Sequence, residues 1–183
     1  MNEFTLYTQD NAPEASKPLL EKSIKLFGMI PGLHAVMAES PELLETYQLA
    51  HESFTNSSFS DEETTVVWQT INVENKCHYC VPAHTGIAKM MGVSSEINNA
   101  LRNNTPLPSL RLEVLRDFTL MIIRQRGRVD DNAVQTFLNE GYTKRQILEV
   151  ILAYAQKIMS NYTNYLARTP VDKVFEEYQW QPK

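Results

Sequence analysis

Both cysteines of this 183-residue chain, and two of its four histidines, fall within Cys77-His78-Tyr79-Cys80-Val81-Pro82-Ala83-His84. On an α-helix, residues three, four and seven positions apart share a face. Helical geometry would therefore set the Cys77 and Cys80 thiols side by side, with the His84 imidazole one turn further along. Two thiols that close can cycle between dithiol and disulfide. The nucleophilic form of either is the thiolate, which a neighbouring histidine or a helix N-terminus favours near neutral pH. Spacing alone does not rank the two. Cys77 lies nearer the start of the expected helix, where the dipole suits negative charge, whereas Cys80 lies one turn from His84. Zinc is a poorer reading, because three ligands along one helical face do not converge tetrahedrally and no second Cys/His pair exists.

The elements that must hold these groups carry helical period throughout. Residues 1–15 are polar and contain Pro13, which predicts an arm without a clear element; residues 16–183 read as a single all-α domain. A first helix follows Ser16 and ends near Gly28, with Leu19, Leu20, Ile24 and Phe27 as its core face, and Pro31-Gly32 then breaks the chain. Ser40-Pro41 opens a second helix lined by Leu43, Leu44, Tyr47, Ala50 and Phe54. Ser60 to Glu63 forms a capping box for a third, through Val66, Val67 and Ile71. Asn75 is the expected cap of the cysteine helix, which stops before Gly92. Pro82 denies that helix a bond to the His78 carbonyl, so the turn around Cys77–Val81 should be kinked or separately capped, leaving backbone polar groups near the thiols. Ser94 or Ser95, Leu110, Asp130 and Thr143 open the later helices. The last long one has Ile147, Leu148, Val150, Ile151, Tyr154 and Ile158 as its apolar positions and runs towards Pro170. A short final helix holds Val174, Phe175 and Tyr178. No pair of segments shows a hairpin signal.

The net charge of −5 and the lack of a dense lysine/arginine cluster argue against nucleic acid. No apolar run approaches the ~18 residues of a membrane span, and Met1-Asn2-Glu3-Phe4 does not read as a signal peptide. The expectation is a cytoplasmic protein, where a disulfide is transient and catalytic.

Asn75-Lys76-Cys77-His78-Tyr79-Cys80, followed by Ala83-His84, resembles the Asn-Gly-Cys-x-x-Cys-x-x-x-His core of the carboxymuconolactone decarboxylase / alkyl hydroperoxidase D (AhpD)-like family. Gly92 and Gly141-Tyr142-Thr143 leading into Ile147-Leu148-Glu149-Val150 fit that pattern too, and Ser160-Asn161-Tyr162-Thr163-Asn164 resembles the end of that helix in the peroxidase-related branch. The resemblance covers roughly residues 40–180. It implies an all-α AhpD-like helical bundle that forms a homo-oligomer, trimer or hexamer, and thiol peroxidase or disulfide reductase chemistry on hydroperoxides. It makes Cys80 the attacking cysteine, Cys77 the resolving one and His84 the base. It also implies re-reduction by an external dithiol, a lipoyl or thioredoxin-type partner. Chemistry of this kind needs no cofactor.

Two positions depart from the pattern. AhpD itself has a histidine immediately before the second cysteine, where this chain has Tyr79, a mild departure that many relatives share; the second is more serious. The family's relay glutamate falls at Thr65, and threonine takes no proton from imidazole near neutral pH. Glu149 and Glu74 are the substitutes to consider, while Glu63 lies on the wrong side of its helix. Two other readings stay open: a non-catalytic or weakly active helical oligomer acting as redox sensor or scaffold, which the departure at Thr65 favours, and a relative acting on a non-peroxide small molecule in the same pocket without redox cycling. Among the other residues, His34 and His51 are expected to be structural or exposed, His78 to be at the surface, and Asn161, Tyr162 and Asn164 to serve packing and helix ends.

Overall fold

The computed structural model describes residues 4–182. Among them are nine α-helices, two 3₁₀ turns and no strand: α1 (Lys17–Phe27), α2 (Gly32–Met37), α3 (Pro41–Thr55), α4 (Asp61–Glu74), α5 (Cys80–Met90), α6 (Ser95–Asn103), α7 (Leu110–Arg124), α8 (Asp131–Asn139) and α9 (Lys144–Ala167), with 3₁₀ turns at Glu14–Ser16 and Lys173–Tyr178. The all-α expectation holds, and the helix starts follow their chemistry. Ser40, Ser60, Ser94, Ser109, Asp130 and Thr143 each accept a backbone N–H in the first turn of the helix they open. Both Ser60–Glu63 and Thr143–Gln146 close full capping boxes.

Helix α4 is the axis of the bundle. It packs against α5, α6, α7 and α9, and every residue from Glu63 to Asn72 is buried. Around it lie two clusters. One gathers Phe54, Trp68, Leu115, Phe118, Phe137 and Tyr142 among its members. The other joins Leu20, Leu33, Met37, Leu44 and Tyr47 to both cysteines and Tyr79. The polar arm is drawn onto this second cluster by the Tyr7 N–H, which donates to the Ala35 carbonyl at 3.2 Å, and by Ser16 Oγ, which donates to the Ala38 carbonyl at 2.7 Å.

Several expectations need correction. Pro31-Gly32 does not simply break the chain but opens α2, too short a helix to carry a readable period. In α1, Leu20 is buried but Ile24 and Phe27 are exposed. Helix α9 inverts the expected pattern: Val150 is buried, while Leu148 is 66% exposed and Ile151 is 47% exposed. Its buried side is largely polar, carrying Gln156, Lys157, Ser160, Asn161 and Asn164.

After α9 the chain turns back over α5. Phe175 packs so closely that a Cβ on Gly86 would lie 2.6 Å from its ring, so only glycine lets this C-terminal strap seat.

Candidate active site

Asn75 does not cap the cysteine helix. It closes α4, and Lys76 takes a left-handed turn (φ 51°) that re-aims the chain. Helix α5 starts only at Cys80, so Pro82 falls in its first turn, where a missing N–H costs nothing. Cys77 occupies the turn just before. The Cys80 N–H donates to Cys77 Sγ at 3.1 Å and the Val81 N–H donates to the Cys77 carbonyl at 3.1 Å. The separately capped first turn is therefore present, with the Cys80 amide at the Cys77 sulfur. Both cysteines thus meet the helix N-terminus, Cys80 as its first residue and Cys77 as the acceptor of that residue's N–H.

Cys77 and Cys80 are joined as a disulfide, their Cα atoms 5.3 Å apart, and each is 2% exposed. Two side-chain amides of α9 converge on Cys80: Asn161 Nδ2 at 3.0 Å and Asn164 Nδ2 at 3.3 Å from its Sγ. In the oxidised state seen here these are weak contacts. A thiolate formed at Cys80 on reduction would receive the same donors as charge-assisted bonds. The expectation that Asn161 and Asn164 only pack and end the helix is thus overturned. Asn161 is itself held by Asn72 Oδ1 at 3.0 Å and by the Asn75 amide at 2.9 Å, an amide chain that fixes the donor's orientation.

One turn along α5, His84 meets Lys157 of α9: Nε2 and Nζ are 2.7 Å apart. Burial, with the Lys157 and His51 charges as lesser causes, holds His84 well below the ordinary histidine pKa. Burial alone lowers Lys157 to about 7, which leaves a large share of neutral amine at physiological pH. Lys157 is 1% exposed. A lone lysine in a polar-looking stretch gave no reason to single it out; its signal was its place one turn before Asn161 on a helix whose polar side faces inward.

None of the carboxylates considered as relay substitutes bonds His84. Glu149 takes the Ser58 amide and hydroxyl and the Arg145 guanidinium. Glu74 pairs with Arg124, and Glu63 pairs with Arg111. Thr65 is buried on α4.

The remaining histidines are more involved than expected. Rings alternate along one wall: His34 edge-on to Tyr47 (5.5 Å between centroids), His51 stacked on Trp68 (5.3 Å), and Trp68 tilted against His84 (4.7 Å). Desolvation, then neighbouring charge, lowers His34 to about 3 and His51 to about 4, so both are neutral near pH 7. His78 is half-buried and binds the Thr169 carbonyl at 2.9 Å, tethering the strap. Cys80, His84, Lys157, His34 and His51 all line one cavity of about 1010 Å³, mostly apolar and closed on one side by Asp172, Phe175 and Tyr178 of the strap. The strap is latched where Tyr79 Oη donates to Asp172 Oδ2 at 2.5 Å. Asp172 Oδ1 also accepts from the Gly32 N–H at 3.0 Å. Among the described residues no group of three or more His, Cys, Asp or Glu could hold a metal ion, and no helix is long and apolar enough to cross a membrane.

Comparison with protein-family models returns no match, and no curated protein matches the sequence either. Solved structures do. The alkylhydroperoxidase AhpD core of an uncharacterized peroxidase-related protein from Ralstonia eutropha JMP134 superposes with a TM-score of 0.82 at 16% identity, covering 96% of each chain. The fold is AhpD-like. An uncharacterized peroxidase-related protein from Silicibacter sp. TM1040 shares this AhpD-like fold with the chain at a TM-score of 0.78 and 19% identity over 95% of each. So does the debrominase Bmp8 in complex with 2,3,4-tribromopyrrole, at 0.76 and 13% identity over 95% of this chain and 94% of that one. At such identities the likeness shows the AhpD-like architecture alone.

Proposed function

We propose that the protein is a thiol-dependent peroxidase, reducing hydroperoxides through the Cys77–Cys80 dithiol. The observation that carries this reading is Cys80 itself: at a helix N-terminus, under two amide donors, facing an apolar cavity and already paired with its resolving partner. The Cys80 thiolate attacks one peroxide oxygen, the O–O bond breaks, and the departing alkoxide takes a proton to leave as alcohol. Sulfur is oxidised to sulfenic acid and the peroxide oxygen is reduced. The Cys77 thiol then condenses with that sulfenic acid, releasing water and forming the disulfide. An external dithiol, such as a lipoyl or thioredoxin-type partner, restores the pair by exchange. A cytoplasmic setting, where such reductants keep thiols reduced, suits this cycle. The outward stripe of Leu148, Ile151, Tyr162, Tyr165 and Leu166 on α9 supports a homo-oligomer.

The test is thiol titration and mass spectrometry of the reduced chain before and after one equivalent of an organic hydroperoxide, with Cys80→Ser as control. Rapid loss of both thiols as an intramolecular disulfide, followed by repeated turnover with dithiothreitol, is the expected result. Oxidation no faster than that of a free cysteine peptide would defeat it, and a single fast oxidation without turnover would mark a redox sensor.

The size and aromatic lining of the cavity favour a second reading, reduction of a halogenated ring. There the dithiol supplies two electrons, hydrogen replaces halogen, and halide leaves. Halide release from a brominated pyrrole by the reduced chain, with hydroperoxide left untouched, would select it.

A further inference from the structure

Helices α5 and α9 face each other in two rungs. On the first, Cys80 Sγ meets Asn161 and Asn164; on the second, His84 Nε2 meets Lys157 Nζ at 2.7 Å. Four residues separate the rungs on each helix, from Cys80 to His84 and from Asn161 back to Lys157, so both pairs lie on the same two faces. Among the described residues, the only hydrogen-bond partner of the Lys157 amine is that imidazole.

We propose that Lys157 is the proton acceptor of the site, standing in for the carboxylate absent at Thr65 and acting on Cys80 through His84. The proposal deepens the peroxidase reading and rests on it for its substrate. An imidazole relays a proton only when a base receives what its far nitrogen gives up. A neutral amine has one lone pair and can accept; an ammonium cannot. In the reduced chain the Cys80 thiol, one helical turn from His84 and not bonded to it in the disulfide form, gives its proton to His84 Nδ1 while His84 Nε2 passes its own to Lys157 Nζ, leaving a thiolate and an ammonium. After the thiolate attacks the peroxide, the ammonium returns a proton through His84 to the departing alkoxide. Thiol and hydroperoxide thereby become sulfenic acid and alcohol with no net proton taken up, and Lys157 ends as it began. Lys157 is thus a positioning and relay residue rather than one that touches substrate.

The amine is free to play this part because its surroundings hold no competing anion. Of the titratable groups that line the cavity, α2 offers His34, α3 Tyr47 and His51, and α5 Cys80, His84 and Lys89. The strap offers Asp172, which is bonded to Tyr79 and Gly32, and Tyr178, bonded to Lys89. Asp61 of α4 is an exposed residue of the lining, and α7, which packs on α9, contributes no group to the cavity. Burial favours the neutral amine.

The experiment is the pH profile of iodoacetamide alkylation at Cys80 in the reduced chain, located by peptide mass spectrometry, for the wild type and for Lys157→Met, Lys157→Gln and His84→Gln. Lys157→Met should slow alkylation at pH 7 at least tenfold and move the profile up by a unit or more, with a urea midpoint no lower than that of the wild type. Lys157→Gln keeps a hydrogen-bonding partner for His84 but takes no proton. It should behave like Lys157→Met, and a wild-type profile in it would reduce Lys157 to a structural role and overturn the proposal. In a Lys157→Met/His84→Gln double variant the loss should match that of His84→Gln alone. Lysine side-chain NMR of the unaltered chain gives a readout independent of any variant: Lys157 should titrate together with the alkylation profile, and ionisation only in the ordinary lysine range would overturn the relay. Because alkylation uses no peroxide, a Lys157-dependent profile in a chain inert to hydroperoxides would sink the substrate assignment alone, and the reverse pattern would sink the relay alone.

Discussion

Two aromatic regions of this protein use the same kind of ring for opposite ends. Around Phe137, rings close on one another without gaps: Phe118 stacks at 4.3 Å and Tyr142 at 4.4 Å, and Phe137 is fully buried. Around Trp68, the rings alternate with His34, His51 and His84 and open onto a cavity of about 1010 Å³. The first region converts burial into stability. The second keeps titratable groups out of water, which costs stability and favours the neutral forms of an imidazole and an amine. Stability and chemistry are thus divided between neighbouring parts of one bundle.

Acid should show the difference most strongly. His34 is lowered to about 3 and His51 to about 4, and His84 is lowered as well, whereas the unfolded chain titrates its histidines near the ordinary value of 6.5. Below that value the unfolded state binds more protons than the fold, so stability falls as pH falls. Each histidine contributes about 1.4 kcal/mol per pH unit in its window. Urea midpoints measured from pH 7 to pH 4 should drop steeply, and replacing His51 with Phe should flatten the curve; a flat wild-type curve would mean that the cavity already admits water. Next in size is Phe137→Ala, which should cost about 3–5 kcal/mol by emptying the filled region, with peroxide-driven disulfide formation unchanged in whatever fraction remains folded.

The sequence disclosed each region to a different degree, for physical reasons. Caps such as Ser60, Asp130 and Thr143 are local chemistry, so helix starts could be read without tertiary contacts. The Cys77, Cys80 and His84 spacing survived because all three belong to one short stretch. What remained hidden was the partner helix. The apolar positions of α9 suggested a core face through Leu148 and Ile151, yet these residues point outward and the polar side faces Cys80. Hydrophobic period reports which side of a helix is apolar, and it fails where an inward side is polar for chemistry and an outward side is apolar. For that reason Asn161 and Asn164 were read as packing and helix-end groups, and Lys157 went unnoticed. The same limit explains Ile24 and Phe27 of α1.

A smaller effect tests whether Lys157 belongs to the costly region. Its amine is lowered to about 7 from 10.5. Between those values the unfolded chain holds a proton that the fold does not, so stability rises with pH by about 1.4 kcal/mol per unit across that span. Lys157→Met should abolish this alkaline rise and leave the acid limb, which belongs to the histidines, in place. Chemical denaturation from pH 7 to pH 10 separates the two; an unchanged rise in the variant would assign it to other groups.

The smallest change concerns the strap, which closes one side of the cavity. Tyr79 Oη donates to Asp172 and accepts the Leu33 N–H at 3.3 Å; burial first, and then the Asp172 charge, raises the phenol well above its ordinary value. In Tyr79→Phe the Asp172 carboxylate keeps its bond from Gly32, so the strap loses one of its two Asp172 contacts. A hydrogen bond to a charged group is worth about 1.5–3 kcal/mol, part of which returns as new solvation when the strap lifts. An opening eased by about 1 kcal/mol would raise the open population roughly fivefold. With both cysteines buried, a reductant reaches the disulfide only through such an opening or through the cavity mouth. Reduction by dithiothreitol should therefore quicken about fivefold in Tyr79→Phe if the strap is the route. An unchanged rate would place the route at the cavity mouth.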